Sequence, residues 1–224
     1  MKRSSLLINA SMIIFLPFLA AACATFKTSE PSPESATEGT YFADDFSNPS
    51  TTWSTYNQPG AEIVIEEGVL RFRVDESYYD FWSTTGQNYT NVEVEVLAEK
   101  KDGPDNNNFG LICRYADAKN YYAFLISSDG YYGIMRVLDG EYKLLSSENM
   151  ELSSAVNTGK SSNHLRVDCL GSQLVFYVND KFLATVQDSQ LSQGQTGVIV
   201  GTYDEAGVEI HFDDFIVQES QLIK

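Results

Sequence analysis

The chain has 224 residues and carries 31 aspartates and glutamates against 15 lysines and arginines. A net charge of −16 repels phosphate backbones and anionic lipid alike, which excludes nucleic acid as an expected partner and electrostatic adhesion as a route to a membrane. The length allows one large domain or two small ones, and the uniform texture from Tyr41 onward points to one.

The first 22 residues, "MKRSSLLINASMIIFLPFLAAA", combine a basic start at Lys2 and Arg3, an apolar run and small residues before Cys23. This is the build of a secretory signal. The apolar run is short for a membrane span and is interrupted by Pro17. "LAAAC" resembles the bacterial lipobox, although Ala20 stands where Leu is usual and Leu19 is one place early. Cys23 is therefore expected to be lipidated, which makes the chain an exported protein held to a cell membrane or outer surface. The alternative is ordinary cleavage near Ala22 that leaves a free thiol. Without residues 1–22, 13 basic side chains face 31 acidic ones, a net charge near −18. Residues 23–40 are rich in Ser, Thr, Pro and Glu, cannot offset their ordering entropy by burial, and read as a tether.

From residue 41 to 218, short runs of β-branched and aromatic residues alternate with a period of two and are cut by turn signals. "AEIVIEEGVLRFRV" reads as a hairpin turning at Glu67-Gly68, and "NVEVEVLAE" as a strand with Val92, Val94 and Val96 on one side. "NYYAFLISSDGYYGIMRV" reads as a hairpin with Asp129-Gly130 as a two-residue loop. That register places Tyr121, Ala123, Leu125, Tyr132, Ile134 and Arg136 on one face. Further turns are expected at Asp139-Gly140, Gly171-Ser172 and Asn179-Asp180, and residues 219–224 form a tail. No window keeps a helical period, so the fold class is all-β, an antiparallel sandwich or barrel.

Aspartate doublets flanked by aromatics stand at both ends of this domain, in "YFADDFS" and "IHFDDFIV". Phe212 and Phe215 have opposite parity, which predicts a bulge at Asp213-Asp214 that keeps both inside. First and last strands lying side by side would bring the doublets together. Cys113 and Cys169 both fall on the apolar parity of strand-like segments, and an exterior setting favours a disulfide between them; two buried thiols are the alternative.

"FGLICRYADAKNYYAFLISSDGYYGIMRVLDGEYKLL", "NHLRVDCLGSQLVFYVNDKFLATVQD" and "QTGVIVGTY", together with the two doublet segments, resemble the laminin-G-like, concanavalin A-like lectin and glucanase superfamily. The branch with 3-keto-disaccharide hydrolase domains and bacterial surface lipoproteins is the most similar. The resemblance implies a jelly roll of two curved sheets with a concave face where glycans often bind. It also implies a structural Ca²⁺ where terminal strands meet, with Asp44, Asp45, Asp213 and Asp214 as candidate ligands; solvated turn acids are the alternative.

A candidate glycan platform comprises Tyr121, Tyr132 and Arg136, joined by Arg114 and Trp82, because aromatic faces stack on sugar rings while Arg and Tyr tips bond hydroxyls. Glu93, Glu95 and Glu99 approach the Glu-x-Asp-x-x-Glu pattern of jelly-roll glucanases. The middle acid is wrong and the last spacing is one residue too long, so they read as the polar side of a strand and no catalytic residue is assigned. His164 and His211 are isolated, and Asn88 opens a glycosylation sequon. The expected protein is a binding module, with a glycoside or keto-disaccharide hydrolase and an envelope assembly protein as alternatives.

Overall fold

A computed structural model describes residues 39–48 and 50–220. The expected signal, Cys23 and most of the tether lie outside these residues. The described residues contain no helix and sixteen strands, numbered in chain order. Sheet A runs β14 (Lys181–Gln187), β13 (Gln173–Val178), β12 (Ser162–Leu170), β6 (Val92–Asp102), β16 (Val208–Glu219), β4 (Val69–Val74), β3 (Ala61–Glu66) and β2 (Tyr56–Gln58), with β1 (Thr40–Asp44) on the far half of β16. Sheet B runs β10 (Glu141–Leu144), β9 (Tyr131–Leu138), β8 (Asn120–Ile126), β7 (Asn107–Asp117), β15 (Gly194–Thr202) and β5 (Asp80–Tyr89), with β11 (Glu151–Leu152) beside β9. The sheets are antiparallel and pack as a sandwich.

Period-two alternation builds the core. On β6 the valines at 92, 94 and 96 and Ala98 are buried, while the glutamates between them face out. They meet Phe109, Leu111, Phe124 and Val198 of sheet B in one continuous cluster. Each such side chain contributes roughly 1.5–3 kcal/mol by leaving water. Cys113 of β7 and Cys169 of β12 form a disulfide within this layer, with Cα atoms 6.9 Å apart, and tie sheet B to sheet A.

The terminal strands pair as expected: Phe42 lies opposite Val217 and Asp44 opposite Phe215. The pairing of β16 with β6 slips between Asp213 and Ile216, Asp214 takes φ 50°, and Phe212 and Phe215 are both fully buried. The aspartates serve this local geometry. Asp44 accepts hydrogen bonds from the Phe46 amide and the Trp53 indole N–H, both at 2.9 Å. Asp45 accepts from the amide and hydroxyl of Ser47, and Asp213 from the Asp214 amide at 2.8 Å. The doublets are neighbours because Asp44 lies opposite Phe215, next to Asp214; burial raises the Asp213 carboxyl, the Asp214 amide partly offsets this, and the charges of Asp214 and Asp45 add to the rise. Among the described residues, no group of three or more His, Cys, Asp or Glu is arranged to hold a metal ion.

Most turns follow the sequence. Glu67-Gly68, Asp139-Gly140 and Asn179-Asp180 are two-residue loops with both residues at positive φ, the type I′ geometry. The β8–β9 turn departs from it. Asp129 does not adopt positive φ, and the Ser127 amide bonds the Tyr131 carbonyl at 2.8 Å across a three-residue loop closed by Gly130 at φ 101°. The Asn107 side chain holds Ser128 in this loop by accepting from its amide at 3.0 Å and donating to its hydroxyl at 2.9 Å. Ile126 therefore pairs with Tyr132 and Tyr122 with Arg136, one residue off the expected register. A slip of one flips every side chain of β9 to the other face.

Candidate functional site

The slip corrects the expected platform. Tyr132 and Arg136 share the core-facing side of sheet B with Tyr122, not the outer side with Tyr121. Tyr132 donates to Glu151 at 2.8 Å, and Arg136 pairs with Asp188. Asp188 also accepts from the Tyr122 hydroxyl at 2.6 Å and from the Gln190 amide at 3.0 Å. Burial pushes the Asp188 carboxyl up, but these bonds and the Arg136 charge hold it below the usual range. Burial, then the bond to Asp188, pushes the Tyr122 hydroxyl up to about 12. Arg114 is also corrected: a bulge in β7 with Arg114 at φ 53° turns its guanidinium to the Leu191 carbonyl at 2.8 Å. These groups fasten the 188–191 loop to the sandwich.

Trp82 and Tyr121 remain on the outer face of sheet B, and the β7 bulge brings Tyr115 to them. The three rings form a triangle with centroids 5.9–6.1 Å apart. Beneath and beside them lie Ile112, Ala123, Leu125, Val137 and Ile199, with Met135 and Met150 at the margin. Trp82 on β5 and Tyr121 on β8 are separated by β15 and β7, three inter-strand spacings or roughly 14 Å in a flat sheet. Their rings nevertheless approach to 5.9 Å, because the long Trp82 and Tyr121 side chains lean toward each other over β15 and β7.

A polar corner adjoins the aromatic one. An added Cβ at Gly201 would lie 1.9 Å from an Asp80 carboxylate oxygen and 2.6–2.7 Å from the Asn108 amide, so glycine lets both side chains lie over β15. Burial raises the Asp80 carboxyl, and the Asn108 amide partly offsets the shift. Tyr203 stands beside Asn108, its hydroxyl likewise raised by burial. Tyr121 is fully buried, which raises its hydroxyl, and the charges of Tyr142 and Asp80 add to the shift. The Asn108 carbonyl oxygen is buried without a hydrogen-bond partner, while the Tyr121 hydroxyl lies within reach of the Tyr142 hydroxyl. At the β5 edge, Asp80 and Trp82 also border an apolar groove of about 360 Å³ lined by Tyr56, Tyr79 and Phe81.

Glu93 and Glu95 sit on the outer face of sheet A. Arg166 bonds Glu93 at 2.5 Å and lies 4.9 Å over the Tyr177 ring, while His164 bonds Glu95 at 2.8 Å. Burial pushes the Glu93 carboxyl up to about 7, whereas the bond from His164 lowers Glu95. His164 is raised by the same contact. Between about pH 4.5 and about 7 the folded chain holds a proton on Glu93 that the unfolded chain releases, so stability falls as pH rises through that window. The His164 contact is fully formed below that residue's unfolded value of 6.5 and is also lost as pH rises. Glu95 acts oppositely, losing its contribution as pH falls below about 4.5. The urea midpoint is expected to be higher at pH 5 than at pH 8, and Glu93→Gln to shrink that difference. A flat profile in the wild-type chain contradicts this reading.

No protein-family model matches the chain, and no curated protein matches it. Solved structures do. A carbohydrate-binding module, CBM66 from Bacillus subtilis, is similar with a TM-score of 0.60 and 20% identity, covering 75% of this chain and 96% of that one. A protein of unknown function with a galectin-like fold, also from Bacillus subtilis, gives a TM-score of 0.61 at 12% identity over 81% and 96%. A Bacillus licheniformis beta-glucanase gives 0.58 at 12% over 83% and 100%. These likenesses define the class of fold: a concanavalin A-like jelly roll.

Proposed function

We propose that the protein is a lipid-anchored bacterial surface protein whose sandwich binds carbohydrate, without cleaving it, on the outer face of sheet B. The observation that carries the reading is the pair of half-buried Trp82 and Tyr115 rings, packed on the buried Tyr121, beside the unpartnered Asn108 carbonyl oxygen. Aromatic rings offer a surface for sugar C–H groups, and buried polar atoms lacking partners gain most when a ligand supplies them. The likeness to a carbohydrate-binding module supports the same reading at the level of fold. A glycan array probed with the purified full-length chain tests it: defined glycans are expected among the hits, and an array without hits overturns it.

One observation favours a second reading, a glycoside hydrolase. Glu93 and Glu95 are adjacent carboxylates pushed apart in acidity, the arrangement that an acid and a nucleophile need. Both are engaged by Arg166 and His164 on a different sheet from the aromatic triangle, which favours a structural role. Sugar release that is abolished by Glu93→Gln or Glu95→Gln would establish this second reading.

Anchoring rests on the lipobox-like "LAAAC" before Cys23. Cells expressing the chain are expected to incorporate radiolabelled palmitate into it, and Cys23→Ser to abolish labelling and release the protein from the membrane fraction. Label retained in that variant would refute lipidation at Cys23.

A further inference from the structure

We propose that this binding face, on the glycan-binding reading given above, is selective for hydroxyl-bearing, non-anionic glycans, and that Asp80 is the residue that turns away uronate- and sulfate-bearing chains. The first argument is donor and acceptor matching. Asp80 offers only acceptors when ionised, and the unpartnered atom of Asn108 is its carbonyl oxygen. Both require a donor. A sugar hydroxyl supplies one, whereas a carboxylate or sulfate group cannot donate.

The second argument is charge. Arg114 and Arg136, the arginines of sheet B, are committed to the Leu191 carbonyl and to Asp188 on its core-facing side. Arg71, Arg73 and Arg166 pair with carboxylates of sheet A and its turns, as do Lys101 and Lys160, while Lys100 pairs with Asp105. Lys143 pairs in register with Arg136, on the parity opposite to Tyr142. Asp80 and Asp129 are meanwhile close enough to act on Tyr203. Lys119 stands in the β7–β8 turn with its chain against the Gly140 position, so an anionic ligand entering beside Trp82 meets acids and no cation from the strands beneath it, in a protein whose net charge is −16.

The test uses the purified full-length chain. Wild type is titrated with neutral cello-, xylo-, manno- and fructo-oligosaccharides and with oligogalacturonates and chondroitin sulfate fragments of matched length. Binding is expected to be about tenfold or more stronger in the neutral set than in the anionic one, and binding of the neutral set is expected to change little between low and high salt. Asp80→Asn is expected to strengthen binding of the anionic set by about tenfold or more, from the loss of a nearby like charge. If that variant does not fold, salt provides the second measurement, because screening should strengthen whatever weak anionic binding wild type has. An anionic oligosaccharide bound by wild type at least as tightly as the neutral ones overturns the selectivity and leaves glycan binding standing. Binding to neither set removes the glycan-binding reading, and the selectivity with it.

Discussion

Replacing Cys113 and Cys169 together with alanine is expected to lower Tm by about 8–16 °C. The bridge closes a loop with a sequence separation of 56 residues. Loop entropy then gives about 4 kcal/mol, and each kcal/mol shifts Tm by roughly 2–4 °C in a domain of this size. The bridge is the covalent tie between the sheets, and both cysteines are fully buried, so alanine also leaves space in the core. Reducing the wild-type chain in mild denaturant removes the bond without the cavity and is expected to account for most of the loss. An unchanged Tm in calorimetry of both samples would mean that apolar packing alone joins the layers.

The second large effect is expected at Trp53. Its ring stands edge-on to Phe215 at 4.8 Å and packs on Phe46 at 5.3 Å and Phe42 at 6.1 Å, which joins the strand-free segment after β1 to the last strand. Trp53→Ala is expected to cost about 3–5 kcal/mol in urea denaturation, in line with buried aromatic truncations. Trp53→Phe keeps the apolar contact but removes the donor to Asp44, and about 1–2 kcal/mol is expected to go with that bond. A loss below about 1 kcal/mol for the alanine variant would show that the paired chain ends do not close the sandwich.

The last strand was legible because its large apolar residues change parity across an aspartate doublet, and the first because Phe42 and Phe46 keep one parity with Asp44 between them. Only a bulge keeps Phe212 and Phe215 inside together. The disulfide was legible by the same parity at Cys113 and Cys169. The platform was half legible. Asp129-Gly130 has the same composition as Asp139-Gly140, yet it closes a longer loop because Asn107, 21 residues before Ser128, holds that serine. No local signal carries that contact, and the resulting slip moved Tyr132 and Arg136 to the core side. The β7 bulge acted in reverse, turning Arg114 away and bringing Tyr115 out. Asp80 and Asn108 become neighbours only because Gly201 stands between them, a relation among three strands that one-dimensional alternation does not contain.

Which face of sheet B meets ligand is the point on which the functional reading turns. The most direct measurement is calorimetric titration of the strongest array hit into wild type, Trp82→Ala and Tyr132→Phe. Trp82→Ala is expected to weaken binding by about 30-fold or more, near 2 kcal/mol, as for a buried aromatic anchor. Tyr132→Phe, on the core-facing side, is expected to bind as wild type does. Undiminished binding by Trp82→Ala, or its loss in Tyr132→Phe with the fold intact, would contradict the placement of the site on the outer face of sheet B.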